Sequence, residues 1–166
     1  MRRFEMEVGG RPLVIENGKM DRVIVKVRGE QIDPEGEKSR IEMMAEGRHY
    51  YRNGKHYVLY EDNMLDGEGR ISTILKIAPD SVVLLRSGGV VQEQRFDKRQ
   101  ESVSEYKTPF GSMELSVRTD MVNVVYGTVS GEVDVSYAMS INGEVQTLNE
   151  LHIEISAAEG EIDRLN

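Results

Sequence analysis

Cysteine is absent from the 166 residues of the chain. This absence excludes a disulfide framework, a thiolate zinc site and a cysteine nucleophile. Positive charge is also scarce, because 21 Lys and Arg residues face 29 Asp and Glu residues and leave a net charge of -8. A polyphosphate backbone or an anionic membrane surface requires clustered positive charge. We therefore predict neither a nucleic-acid partner nor a membrane partner.

Long hydrophobic runs are missing as well. The aliphatic run from Val82 to Leu85 is far shorter than the roughly 20 residues that span a bilayer. The first ten residues, MRRFEMEVGG, alternate glutamate with apolar residues and lack the continuous apolar stretch of a secretory signal. We expect a cytoplasmic protein.

Alternation of apolar and polar residues at period two is the dominant pattern of the chain. Turn dipeptides interrupt it at intervals of about 8–12 residues, which predicts about ten strands and no long helix. Asn53-Gly54 and Asn142-Gly143 offer the positive φ values of a type I′ hairpin. Neighbouring strands in the sequence are therefore expected to pair antiparallel.

The inward faces of the strands favour one closed sheet. Open edges are an aggregation hazard, so a meander of this length must close or stack, and a single inward face favours closure. We predict an all-β protein with a single antiparallel up-and-down β-barrel of about 8–10 strands. The predicted inner residues are Ile41, Met43, Ala45, Gly47, Ile71, Thr73, Leu75, Ile77, Met113, Leu115, Val117, Val133, Val135, Tyr137, Met139, Leu151, Ile153 and Ile155.

Three segments are expected along the chain. Residues 1–22 are predicted to be an N-terminal extension or an extra hairpin, since their pattern is less regular. Residues 23–156 are predicted to form the barrel, and residues 157–166 a short acidic tail.

Several runs of this chain resemble a known family. They are RSGGVVQEQRF, YKTPFGSMEL, VDVSYAM and the segment EGRHYY with YVLYE. These runs are similar to the YwiB-like family of small bacterial β-barrel proteins, over roughly residues 22 to 156. The resemblance implies a calycin-like, lipocalin-related barrel. It implies no reaction and no catalytic residue, because the function of that family is uncharacterised.

Two histidines flank the Asn53-Gly54 turn. With that dipeptide at the centre of a hairpin, Tyr51 faces His56, and His49, Tyr51, His56 and Tyr60 share the inner face. The imidazoles of His49 and His56 could share a metal ion at about 7–8 Å between backbones, but no third ligand is apparent on that face. We assign no metal ligand and no catalytic residue, and we read the imidazoles as polar groups at one end of the barrel.

Arg86 begins a second polar group. If Ser87-Gly88-Gly89 is a three-residue loop, Arg86 faces Val90 and Leu84 faces Gln92. An inward arginine beside amides and tyrosines could bind a carboxylate or phosphate, with an apolar tail in the barrel. Alternatively, Arg86 caps the barrel end against backbone carbonyls. The interior residues of this group are Arg86, Gln92, Gln94 and Tyr106.

Two classes of function remain open, together with a structural alternative. The preferred one is a non-enzymatic barrel, without a cofactor, that binds a small amphipathic or acidic ligand. The second is a small hydrolase or isomerase that uses His49 or His56 as a general base. The third is a structural or partner-binding module, for which Ile24, Ile32 and Tyr57 on outer faces suggest a homodimer surface.

Overall fold

The computed structural model describes residues 3–8, 11–16, 19–62, 71–88 and 91–158. These ranges contain β-strands and no helix, and so no helix that could cross a membrane. The strands are β1 (Arg3–Val8), β2 (Arg11–Glu16), β3 (Asp21–Ile32), β4 (Lys38–Arg52), β5 (Lys55–Asp62), β6 (Ile71–Ile77), β7 (Val82–Gly88), β8 (Gln92–Phe96), β9 (Ser102–Thr108), β10 (Gly111–Tyr126), β11 (Gly131–Ile141) and β12 (Glu144–Ala157).

Ten of these strands form one antiparallel sheet. Their order is β8-β7-β6-β5-β4-β3-β12-β11-β10-β9, so every neighbouring pair follows in sequence except β3 and β12. The sheet curls until β8 approaches β9, where Val91 and Lys107 exchange two backbone hydrogen bonds of 3.0 Å. The predicted antiparallel barrel is confirmed, and its closure depends on this one bridge within the described residues.

Strands β1 and β2 form a separate two-stranded sheet. They pair antiparallel, with Arg3 opposite Glu16. Strand β1 lies against β7 on the barrel. The predicted tail begins where β12 ends at Ala157, and its residues 159–166 lie outside the described residues, as does the predicted turn at residues 9 and 10.

The asparagine-glycine turns have the expected conformation. Asn53 and Gly54 have φ values of 52° and 77°, and Asn142 and Gly143 have values of 49° and 88°. Both residues of each pair occupy the left-handed region that a type I′ turn requires. The β4–β5 register follows from the first turn, and His49 faces Val58 as predicted.

The predicted register of β7 and β8 is wrong by two residues. Arg86 lies opposite Gln92 rather than Val90, and Leu84 lies opposite Gln94. Five residues, 87 to 91, separate the paired Arg86 and Gln92, whereas the prediction had three residues between Arg86 and Val90. A shift of two residues keeps every side chain on its face of the sheet, so the inward set is unchanged.

The predicted strands SMELSVRT and MVNVVYGTV are one element. Both belong to β10, which runs for 16 residues. A β-bulge lies between Thr119 and Met121, where the pairing with β11 shifts by one residue. The bulge adds a residue without ending the strand, and it moves the inward face from Thr119 to Val122 and Val124.

The main core fills the barrel. Its fully buried members include Phe96, Leu75 and Ile155, on three different strands. On β8 the buried residues alternate with exposed Glu93 and Arg95, as a strand with one buried face requires. The core list is Val23, Val25, Val58, Tyr60, Leu75, Ile77, Val82, Leu84, Phe96, Val117, Val129, Val133, Val135, Ile153, Ile155 and Ala157.

A second apolar cluster lies on the outer face of the barrel. It contains Tyr50, Tyr57, Leu59 and Ile74, all buried. Tyr57 lies on the outer face as predicted, but it is buried in this cluster and so is not available to the predicted association surface. Outward side chains are buried only where another layer covers the sheet, and β1 lies against β7 beside this cluster.

Candidate functional site

A cavity of about 330 Å³ lies inside the barrel at the end that contains Arg86, here called the Arg86 end. At about 30 Å³ per water molecule, this volume equals about 11 waters and suits a small ligand. Its polar lining includes Tyr60, Arg86, Gln92, Gln94, Tyr106, Tyr137 and Asn149, and its apolar lining includes Val27, Met43, Leu84, Met113, Leu115, Met139, Leu151 and Ile153.

Arg86 is the one cationic side chain among the described residues that line this cavity. Its Nη1 donates a hydrogen bond of 3.3 Å to Oε1 of Gln92, the residue directly opposite on β8. Its Nε is buried and has no hydrogen-bond partner among the described residues. No carboxylate there forms an ion pair with it. A guanidinium in this position has unused capacity to bind an anion.

Other polar groups surround the guanidinium. Gln92 and Gln94 are buried on β8, and Nε2 of Gln94 donates a weak hydrogen bond to the sulfur of Met139, at 4.0 Å. Burial raises the pKa of Tyr137, while the positive charge of Arg86 acts in the opposite direction. Arg86 and Tyr137 both line the cavity.

The opposite end of the barrel contains a chain of three polar side chains and is here called the His49 end. Nδ1 of His49 lies 3.1 Å from Oδ2 of Asp21, and Nε2 of His49 lies 2.8 Å from Nδ1 of His56. A carboxylate only accepts hydrogen bonds, so His49 donates through Nδ1 and its Nε2 accepts from His56. Both Asp21 and His49 are buried.

Tyr126 completes this end of the barrel. Its ring stacks on His56 with 3.8 Å between centroids, and its hydroxyl donates a 2.8 Å hydrogen bond to the carbonyl of Val129. Burial raises the pKa of Tyr126, so it stays protonated. The two histidines are thus packed and hydrogen-bonded, and neither lines the cavity.

Asp21 was missed by the sequence analysis, which found no acidic residue near the histidines. It lies directly opposite His49 in the β3–β4 pairing. The turn residues Asp33 to Gly36 centre this hairpin, with Ile32 opposite Lys38. Counting back from that turn would have placed Asp21 beside His49.

The eight predicted interior residues separate into three groups. Tyr60, Arg86, Gln92, Gln94 and Tyr106 line the cavity. His49 and His56 lie together at the His49 end. Tyr51 is 56% exposed, so its predicted interior position is wrong. Tyr51 is the second residue before the Asn53-Gly54 turn. Its ring makes a tilted contact with the ring of His56.

Protonation of the histidine pair is expected to destabilise the protein. Burial and the neighbouring His49 lower the pKa of His56 from 6.5 to about 4, and burial also lowers that of His49 despite Asp21. The neutral histidines stabilise the folded protein above pH 6.5, which is the pKa of histidine in the unfolded chain. This stabilisation is lost as the pH falls from 6.5 through 4. The free energy of unfolding should fall by about 1–2 kcal/mol between neutral pH and pH 5.

Urea unfolding across this pH range measures the effect. His56→Gln should reduce the pH dependence, because it removes the group whose pKa is lowered to about 4 and leaves only the contribution of His49. His152→Gln is the matched control on the outer face and should retain the dependence. An unchanged slope in His56→Gln would contradict the assignment.

One group on the outer face could hold a metal ion. The ligand atoms of Glu132, His152 and Glu154 lie within 4.8 Å of one another. Nδ1 of His152 donates a 2.7 Å hydrogen bond to Asp134, which orients the ring as in many metal sites. The group points away from the barrel interior and is separate from the cavity.

The fold and the cavity define a ten-stranded antiparallel β-barrel with a polar group at each end and a cavity at one of them. The sequence model of the family described as "Domain of unknown function (DUF1934)" matches residues 25–153 of this chain. The chain belongs to this family, as the resemblance to YwiB-like proteins predicted.

Two comparisons with a Bacillus subtilis protein agree. The chain is 29% identical over 123 residues to the "Uncharacterized beta-barrel protein YwiB" of strain 168, covering 74% of this chain and 84% of that protein. It also resembles the crystal structure of the ywiB protein from Bacillus subtilis, with a TM-score of 0.76 and 25% identity, covering 85% of this chain and 95% of that one. The family has no assigned function.

Proposed function

We propose that this protein is a non-enzymatic barrel that binds a small amphipathic acid in its interior. The observation that carries the proposal is the Arg86 side chain, which lines the cavity and whose Nε has no hydrogen-bond partner among the described residues. Arg86 is half-buried, and a partly buried charge is destabilising without a counter-charge, which an anionic ligand would supply. The apolar lining would accept the rest of the molecule.

A monoanion suits the site better than a doubly charged phosphate. The cavity lining contains one cation, and two carboxylates, Glu30 and Glu150, lie exposed at its edge. A carboxylate can accept two parallel hydrogen bonds from one guanidinium. Nη1 of Arg86 already donates to Gln92, so Nε is the atom that would donate the first of these bonds to the ligand.

The enzymatic alternative has weaker support. Asp21 supplies the acidic partner that a histidine base would need. His49 and His56, however, do not line the cavity, and Tyr126 stacks on His56. A general base must lie within hydrogen-bond reach of the proton it removes. The chain of hydrogen bonds is better explained as a stabilising closure of the barrel end.

Replacing Arg86 by glutamine should weaken acid binding. Linear carboxylates from hexanoate to decanoate are suitable probes, with octan-1-ol as the uncharged match to octanoate. We expect octanoate to bind the native protein and the Arg86→Gln variant to bind it at least about tenfold more weakly, since a charged hydrogen bond is lost. Isothermal titration calorimetry measures both.

The matched control is Arg95→Gln, an exposed arginine on β8 whose side chain points outward. It should bind octanoate like the native protein. Equal affinity of the native protein and Arg86→Gln would reject the role of Arg86. Failure of every acid in the series to bind would reject the proposed function.

A further inference from the structure

Two side chains that line the cavity each contain a buried polar atom without a hydrogen-bond partner among the described residues. Four buried side-chain atoms lack a hydrogen-bond partner among the described residues, and those of Arg86 and Asn149 belong to side chains that line the cavity. The first atom, Nε of Arg86, is a donor. The second, Oδ1 of Asn149, is an acceptor. Buried polar groups are nearly always paired, so both atoms indicate missing partners.

The orientation of the Asn149 amide is fixed by its neighbours. Its Nδ2 donates to Oγ1 of Thr147 at 2.8 Å and approaches two carbonyl oxygens, those of Thr147 at 3.3 Å and Tyr137 at 3.5 Å. Turning the amide over would bring Oδ1 against these carbonyls, which only accept. Oδ1 is therefore the free atom, and its partner must be a donor.

The two atoms lie on opposite walls of the barrel. Arg86 is on β7 and Asn149 on β12, which are five positions apart in the order of the ten strands. Halfway around a closed sheet is the facing wall. Asn149 also lies directly opposite Tyr137 on β11, and Arg86, Tyr137 and Asn149 all line the same cavity.

The cavity also has an apolar part in its lining. Leu84, Leu151 and Ile153 line the cavity together with Met43 and Met139. These side chains can contact a hydrocarbon chain, and methionines adapt to its shape. A ligand that satisfies both walls therefore has an anion at one end, a donor at the other and an apolar middle.

We propose, on the basis of the proposed function, that the ligand is an ω-hydroxy carboxylic acid. Its carboxylate binds Arg86, and its terminal hydroxyl donates a hydrogen bond to Oδ1 of Asn149. The buried acceptor disfavours an otherwise identical acid that lacks the donor, because Oδ1 then stays unpaired. The site thus selects the substituent at the far end of the chain as well as the acid.

Three acids of one chain length test this on the native protein. They are 8-hydroxyoctanoate, octanoate and 8-methoxyoctanoate, whose ether oxygen accepts but does not donate. We expect the hydroxy acid to bind about tenfold more tightly than octanoate. The methoxy acid should bind no better than octanoate. The same comparison with six-carbon and ten-carbon acids shows whether the preference depends on chain length.

Variants assign the preference to a residue. Asn149→Leu should bind the hydroxy acid and octanoate with similar affinity, and Arg86→Gln should bind both more weakly. Asn123→Leu, on the outer face of β10, should behave like the native protein.

If the native protein binds acids without preferring the hydroxyl, the inference fails and the proposed function stands. If it binds none of the acids, both fail. If Asn149→Leu does not fold, the methoxy comparison on the native protein decides.

Discussion

Replacing Phe96 by alanine is expected to lower the free energy of unfolding by about 3–5 kcal/mol. Phe96 is 1% exposed and is among the largest fully buried side chains. Its ring lies 4.8 Å from that of Tyr137, between centroids. Its removal leaves a cavity in the barrel core that the surrounding strands can fill only in part. Urea unfolding at neutral pH measures the loss.

Phe110 provides the matched control for this substitution. It is 91% exposed in the β9–β10 turn, so Phe110→Ala should change stability by less than about 0.5 kcal/mol. The pair compares the same chemical change inside and outside the core. Similar losses in both variants would show that Phe96 does not pack as the structure has it.

Replacing Gly131 by alanine is expected to cost up to about 3 kcal/mol, through overpacking. A Cβ at this position would lie 2.3 Å from Cδ2 of Tyr126. The ring cannot move freely, because it stacks on His56 and its hydroxyl is bonded to Val129. Thermal and urea unfolding measure the effect, and the pH dependence assigned to the histidine pair should change with it.

The matched control for Gly131 is Gly29, which lies in β3. A Cβ there would meet only Cδ1 of Leu151, at 3.9 Å, which is ordinary contact. Gly29→Ala should therefore be neutral or slightly stabilising, since alanine loses less backbone entropy on folding. Equal destabilisation by both substitutions would indicate a general intolerance of strand glycines and not a clash with Tyr126.

The sequence predicts the barrel because its pattern is local. Period-two alternation and asparagine-glycine turns act over a few residues, and both the pairing of β4 with β5 and the inward faces follow from them. The β7–β8 register was wrong because the length of a glycine-containing connection is not encoded so directly. The bulge at Asp120 escaped notice for the same reason, since an inserted residue resembles a strand end.

The candidate site was predicted less completely than the fold. Its side chains were assigned to the correct face, but a face does not say which residues are close along the barrel axis. The sequence therefore indicates the histidines and Arg86 as two polar groups, but it does not show that they lie at opposite ends of the barrel. Asn149 has no sequence signal at all, since its importance depends on one unpaired oxygen. Such an oxygen can be recognised only when the positions of the neighbouring hydrogen-bonding groups are known.

The exceptional pairing of β3 with β12 also has a consequence for folding. It divides the barrel into two meanders, β3–β8 and β9–β12, each built from local hairpins that can form early. Joining them brings distant parts of the chain together and carries the largest loop-closure cost. Arg86 belongs to the first meander and Asn149 to the second. The cavity is therefore complete only after the two meanders have joined.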